Sequence, residues 1–283
     1  MKLLVDSGST KADWIAIDDN GKVLFTTQSL GLNPEVLSSE QIVERLDDRF
    51  DIEHNKKEVT SLYFYGAGCG TDRMKNYLTE VFKGYFSNAK VAVYEDTYAA
   101  VYATTPKDQK AIVCILGTGS NASYYDGSVL HQKVQSLGYI AMDDCSGNRF
   151  GRHLIRGYFF NKMPADLALE FEKEFNVDAD FIKNKFYKEP NPNAYLATFA
   201  KFLIQHKDSD FCKQFIYAEM EDFVENYIKQ FDNHQDVPVH FVGSIAFYLK
   251  DYLKEVLTKH GITLGNVLRR PIDGLIEYHV QHK

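Results

Sequence analysis

Two segments of this chain follow one order, and that repetition constrains the fold more than any other feature. Leu3-Leu4-Val5 runs into Asp6-Ser7-Gly8-Ser9-Thr10-Lys11 and then into a second apolar run, Trp14 to Ile17. Ala111-Ile112-Val113-Cys114-Ile115-Leu116 runs into Gly117-Thr118-Gly119-Ser120-Asn121 and then into Ala122 to Tyr125. Each reads as a strand, a small-residue loop and a return strand, closed by a turn with glycine, Asn20-Gly21 or Asp126-Gly127. A weak internal repeat of this kind predicts two related α/β domains facing each other, with both loops presented to one ligand. Loops of Gly, Ser and Thr offer backbone N–H groups to phosphates, and Asp6 could hold a divalent cation or its waters. The plainer alternative is a coincidence between two Gly-containing hairpins.

The rest of the chain alternates strand and helix. Ser38 and Gln41 form a capping-box pattern that opens a helix through about Phe50. Strands are expected at Leu62–Tyr65 and Val91–Tyr94, with helices over Thr71–Phe86 and Thr97–Thr104. The segment from Ser136 to Gly147 reads as loop and the stretch from Ser146 to Phe160 as helix. Pro164–Lys188, Asn193–Gln205 and Phe211–Phe231 read as helices whose aromatic stripes suit core packing and whose charges suit a solvated face. A strand over Val237–Val242 ends in Gly243-Ser244, followed by a helix from Ile245 to Lys259 and a closing helix from Pro271 to Gln281.

Composition limits the class of partner. The 283 residues are 45% hydrophobic and carry a formal charge of −7, which leaves no basic footprint for nucleic acid. No apolar run approaches the ~20 residues of a membrane span, and Asp6 interrupts any signal-peptide core. Cys69, Cys114, Cys145 and Cys212 lack C-x-x-C spacing and suit reduced thiols in the cytoplasm.

Four strand ends carry small residues or acids: Asp6 to Thr10, Glu95-Asp96, Gly117 to Asn121, and Gly243-Ser244. Ligands of open α/β folds bind at the carboxyl ends of strands. A Walker phosphate loop, a dinucleotide fingerprint, a His/Glu metal motif and a nucleophile elbow are all missing. Asp96 by itself reads more readily as a cap for the helix over Thr97–Thr104 than as a catalytic group.

With Asp143-Asp144-Cys145-Ser146-Gly147 and Val242-Gly243-Ser244-Ile245, these motifs stand in the order of one family. The chain resembles N-acetylglucosamine kinases and their BadF/BadG/BcrA/BcrD-type ATPase relatives in the actin-like sugar-kinase superfamily. The resemblance implies two related actin-like (ribonuclease H-like) α/β domains with a nucleotide cleft between them. Residues 1–110 would form the first, joined by a returning helix over 271–283, and 111–270 the second, with a helical insertion. It implies ATP and Mg²⁺ as cofactors. Asp6 would orient Mg²⁺ through water; Ser9, Thr10 and Lys11 would meet the β- and γ-phosphates. Gly117, Thr118 and Gly119 would form the second phosphate loop, and Gly243 and Ser244 would lie against adenosine. Asn33, Ser120, Asn121, Gly138 and Asp143 would contact the sugar. Asp96 would be the catalytic base and contact the sugar hydroxyl. ATP-dependent phosphorylation of an N-acetylated amino sugar, N-acetylglucosamine at its 6-hydroxyl first, and a homodimer are expected on the same ground.

Three departures stand out. Ser7 occupies a place where the family usually has glycine, and the family's Gly-Asp-Glu-Gly-Ser segment is here Met142-Asp143-Asp144-Cys145-Ser146. The cysteine-rich zinc motif of ROK-type sugar kinases is missing, so no zinc is expected. Two other functions remain open at this level. One is an ATPase that activates a partner enzyme through a shared iron–sulfur cluster, with Cys69 and Cys145 as the loop candidates. The other is a sugar sensor without turnover.

Overall fold

The computed structural model describes residues 1–8 and 11–281 and divides into two compact units, residues 1–107 with the C-terminal segment from Arg270, and residues 108–269. The first begins with β1 (Lys2–Ser7), β2 (Lys11–Ile17) and β3 (Val23–Leu30). It continues with α1 (Ser39–Asp47), α2 (Phe50–Asn55), β4 (Ser61–Gly66), α3 (Asp72–Tyr85), β5 (Lys90–Glu95) and α4 (Asp96–Thr104). Its sheet runs β3-β2-β1-β4-β5, antiparallel through the hairpins and parallel from β1 to β4 and β5.

Alternation along β1 sends its side chains to two different cores. Leu3 and Val5 join Trp14, Leu62 and Phe82, while Leu4 joins Ile15, Tyr65 and Ala99. Asp6 therefore lies on the α4 side of the sheet and Ser7 on the side of α1 and α3. The capping box predicted at Ser38 and Gln41 is present in full and opens α1. That helix stops at Asp47, short of the expected Phe50, and the chain re-enters a helix as α2.

The second unit contains β6 (Ala111–Leu116), β7 (Ser120–Tyr125), β8 (Leu130–His131), α5 (Gly147–Phe159), α6 (Ala165–Glu174) and α7 (Ala179–Tyr187). After these come α8 (Pro192–Thr198), α9 (Ala200–Gln205), α10 (Asp210–Asn226), β9 (Val239–Val242), α11 (Ser244–Tyr248), α12 (Lys250–Lys259) and β10 (Leu264–Leu268). The sheet order β10-β9-β6-β7-β8 has the hairpins on one side and the parallel strands on the other, the plan of the first unit. The duplicated loops thus sit at equivalent places in two sheets of one topology.

Four expected helices are interrupted. The 164–188 stretch breaks where Phe175 turns extended, and Asp178 then caps α7 by accepting the Phe181 N–H at 2.8 Å. The 193–205 stretch pauses at Phe199 and the 245–259 stretch at Leu249. The 211–231 stretch ends as α10 and tightens into a 3₁₀ turn over Ile228–Gln230. The last helix, α13 (Pro271–Gln281), belongs to the first unit. There Ile272 and Leu275 pack with Leu4 and Ala99, and the Tyr65 hydroxyl meets His279 Nε2 at 2.8 Å in a buried contact.

Candidate functional site

In the first unit two carboxylates occupy the ends of β1 and β5. Asp6 pairs in register with Asp13 on β2 and Tyr65 on β4, and Tyr65 with Tyr94 on β5. Asp96 follows two residues after Tyr94 as the first residue of α4; the cap position belongs to Glu95. Two strand spacings, about 10 Å, separate the strands that carry the two acids. Both side chains keep a partly exposed surface, yet protein surrounds them closely. Burial is accordingly the main cause of their shifts. The Asp6 carboxyl is pushed up to about 7, by burial and then by the charges of Asp96 and Asp13, against the pull of Lys11 and Arg270. Asp96 is pushed up to about 6 by burial and by Glu95, while the first-turn amides of α4 pull the other way.

Such a crowd of carboxylates fits a hard divalent cation, which would relieve the mutual repulsion. Among the described residues no group of three or more His, Cys, Asp or Glu could hold a metal ion. Mg²⁺ needs no such group, since it takes one or two carboxylates and keeps its waters or substrate phosphates. Asp6 is the residue that would hold it or its waters.

The other first-unit candidates have partners of their own. Lys11 is half-exposed, and its ammonium lies 2.9 Å from the Asp13 carboxylate, which also accepts Gln28 Nε2 at 2.7 Å. Asn33 is half-buried; its Oδ1 accepts the Glu35 N–H at 2.9 Å and rests on Gly68, where a Cβ would come within 2.0 Å. Ser9 and Thr10 lie outside the described residues.

In the second unit the turn Gly117–Gly119 closes on itself, the Gly117 N–H donating to Gly119 O at 3.0 Å. Its other carbonyls face the start of α5: Gly147 N–H donates to Gly117 O at 2.8 Å and Asn148 N–H to Thr118 O at 3.0 Å. Among the described residues no partner is found for the N–H groups of Thr118 and Gly119, and Thr118 is exposed. The turn thus spends its acceptors inward and keeps donors for an anion.

Asp143 is buried beneath this turn, in the left-handed region at φ 68°. Its carboxylate accepts Asn148 Nδ2 at 2.8 Å and approaches the Ser120 N–H at 3.4 Å, and a Cβ on Gly119 would meet it at 2.8 Å. Ser120 is buried, Asn121 is half-buried, and Gly138 turns its loop at φ 77°. Gly243 (φ 123°) links β9 to α11 so close to β6 that a Cβ would lie 2.2 Å from Leu116 O, and Ser244 beside it is exposed. The four cysteines are buried; burial pushes the Cys69 thiol up to about 12 and raises those of Cys114 and Cys145.

One acid of this unit escapes a reading of charges as a solvated face. Glu219 on α10 is buried, accepting the Cys145 N–H at 2.9 Å, Arg149 Nε at 2.9 Å, and His153 Nε2. Burial alone would raise its carboxyl, but these bonds hold it below the usual carboxylate range. The signal was available: Cys212, Ile216, Glu219, Met220 and Phe223 follow helical spacing, so the acid stands in an apolar stripe.

Residues 5–264 match the BadF/BadG/BcrA/BcrD ATPase family. The chain belongs to that family. Among solved structures it is similar to a candidate N-acetylglucosamine kinase from Porphyromonas gingivalis, at 34% identity and a TM-score of 0.93 over 99% of both chains. A candidate N-acetylglucosamine kinase from Chromobacterium violaceum shares the fold at 16% identity and a TM-score of 0.68, over 98% of both chains. A ROK family glucokinase from Streptomyces griseus, solved with glucose and AMPPNP, shares it at 14% identity and a TM-score of 0.58, over 98% of this chain and 97% of that one. No curated protein matches the sequence. The two-domain actin-like fold expected from the motifs is thus the fold of this BadF/BadG/BcrA/BcrD ATPase family member. Among its described residues no helix is long and apolar enough to cross a membrane.

Proposed function

We propose that this family member transfers the γ-phosphoryl group of ATP to an N-acetylated amino sugar, at the 6-hydroxyl of N-acetylglucosamine. The observation that carries the reading is Asp96, a partly exposed carboxylate at a strand end whose proton affinity is raised to about 6. A general base works best with a pKa near the working pH, and phosphoryl transfer otherwise asks for positioning and charge neutralisation. In this reading Asp96 accepts the proton of the attacking hydroxyl. Asp6 holds Mg²⁺ or its waters, and the bound ion supplies neutralisation of phosphate charge. Ser9, Thr10 and Lys11 take the β- and γ-phosphates. The Thr118 and Gly119 amides of the turn that Gly117 closes take phosphate oxygens, with Thr118 on the nucleotide side. Gly243 and Ser244 let the adenosine approach the backbone. Asn33, Ser120, Asn121, Gly138 and Asp143 bind the sugar. The likeness to the Porphyromonas gingivalis protein supports the choice of sugar.

An ADP-coupled assay over a hexosamine panel tests the proposal. Turnover highest with N-acetylglucosamine is expected; no sugar-stimulated ADP release from any hexosamine would end it. The altered loop from Asp143 to Ser146 favours one second reading, a sensor that binds sugar without turnover. Calorimetric sugar binding without ADP release would select it.

A further inference from the structure

Ser7 stands beside Asp6 on β1 but points to the opposite face of the sheet, and its side chain is almost fully buried (1% exposed). Its hydroxyl accepts the N–H of the equally buried Leu32 at 2.9 Å and donates to Gly8 O at 3.3 Å. Its carbonyl accepts the Ala67 N–H at 2.9 Å, at the start of the turn after β4. One residue therefore joins three loops: the turn after β1, the segment from Gly31 to Pro34, and the turn from Gly66 to Gly70.

Both far loops bear on Asn33. Leu32 precedes it directly, and Gly68 lies under its carboxamide so closely that no side chain fits between them. Asn33 is thereby placed from two sides, and each side hangs from Ser7. A buried N–H without an acceptor is costly, so the Leu32 amide follows the Ser7 hydroxyl wherever the end of β1 settles. A glycine or alanine at position 7 would keep the strand pairing and the Ala67 bond but cut the link to Leu32.

We propose that Ser7 is a positioning residue that couples the nucleotide turn after β1 to the Asn33 loop, so that a nucleotide on the turn steadies the loop that receives the sugar. The identity of the two ligands rests on the kinase reading above. The coupling itself is a free energy shared between two loops and acts in both directions.

The test uses the full chain, its Ser7→Ala and Ser7→Gly variants, and Mg²⁺–AMPPNP as the nucleotide probe. Hydrogen exchange at the Leu32 amide is followed with and without probe, and N-acetylglucosamine affinity is measured by calorimetry in both states. In the unaltered chain the probe should slow Leu32 exchange about tenfold and tighten sugar binding about fivefold. In both variants the two ratios should fall to about one, while affinity for the probe alone changes less than about threefold. Ratios that survive in either folded variant, or an unaltered chain whose Leu32 amide ignores the probe, overturn the proposal. If the unaltered chain binds no amino sugar, the kinase reading fails, and the Leu32 exchange ratio alone still decides the coupling.

Discussion

Asn148 donates its side-chain amide to the Asp143 carboxylate at 2.8 Å, and the same nitrogen reaches the Thr118 carbonyl at 2.7 Å. One buried side chain at the start of α5 thus fixes both the acid beneath the second turn and the turn itself. Asn148→Ala leaves a buried carboxylate and a carbonyl without this donor, at a cost of about 1 to 3 kcal/mol in stability. The turn should also lose its shape for phosphate. KM for ATP is expected to rise about tenfold with a smaller change in kcat, read by steady-state kinetics beside urea unfolding.

Glu219 should matter more to stability than any other acid of the second unit. Glu219→Ala strands the Arg149 and His153 donors and the Cys145 N–H, for an expected loss of about 3 to 5 kcal/mol. Glu219→Gln keeps an acceptor for the Cys145 amide and should lose less. Denaturant midpoints of the two variants check the order.

How much of this was legible without coordinates varies by residue. Asn20-Gly21 and Ser38 with Gln41 carry their turn and cap in their own chemistry, and both form as read. The strand Leu264–Leu268 was invisible because its middle is Gly265-Asn266, poor β-formers. Their place is set by His240 on β9, whose Nδ1 accepts the Asn266 N–H at 2.7 Å and leaves no room for a Cβ at Gly265. Helix breaks at Phe199 and Leu249 hide inside unbroken apolar spacing. The strand-end candidates were readable because acids and glycines after apolar runs are rare local signals. The direction of Asp143 was not, since an acid in a loop shows its inward partners Asn148 and Ser120 only once the chain has folded. Ser7 could be noticed as an oddity, but its partner Leu32 is a backbone amide that no pattern reports.

Gly243→Ala should fail as a conservative change. The added carbon would lie 2.2 Å from Leu116 O at a backbone φ of 123° that L-residues avoid. A loss of at least about 2 kcal/mol is expected, together with weaker AMPPNP binding. Thermal melts with and without the nucleotide measure both.

Stability should fall as pH rises through the range where Asp6 titrates. Its folded carboxyl, raised to about 7 from an ordinary value of 3.8, holds its proton more tightly than the unfolded chain does. The folded state therefore binds more protons between about pH 4 and 7, and the penalty for ionising Asp6 is fully present above that window. Asp6→Asn should raise Tm at pH 8 and leave it nearly unchanged near pH 4. Mg²⁺ added at pH 8 should raise Tm in the unaltered chain and do less in the variant, when melts in EDTA are compared with melts in Mg²⁺.

The central claim is that the Asp96 carboxylate takes the proton of a sugar hydroxyl. Asp96→Asn, assayed with N-acetylglucosamine and ATP, tests it most directly. The account predicts that kcat falls by about 10² to 10⁴ while AMPPNP affinity stays within about threefold, and that the unaltered enzyme loses activity as pH drops through about 6. Turnover retained in Asp96→Asn, or an unaltered rate indifferent to pH across that range, would contradict it.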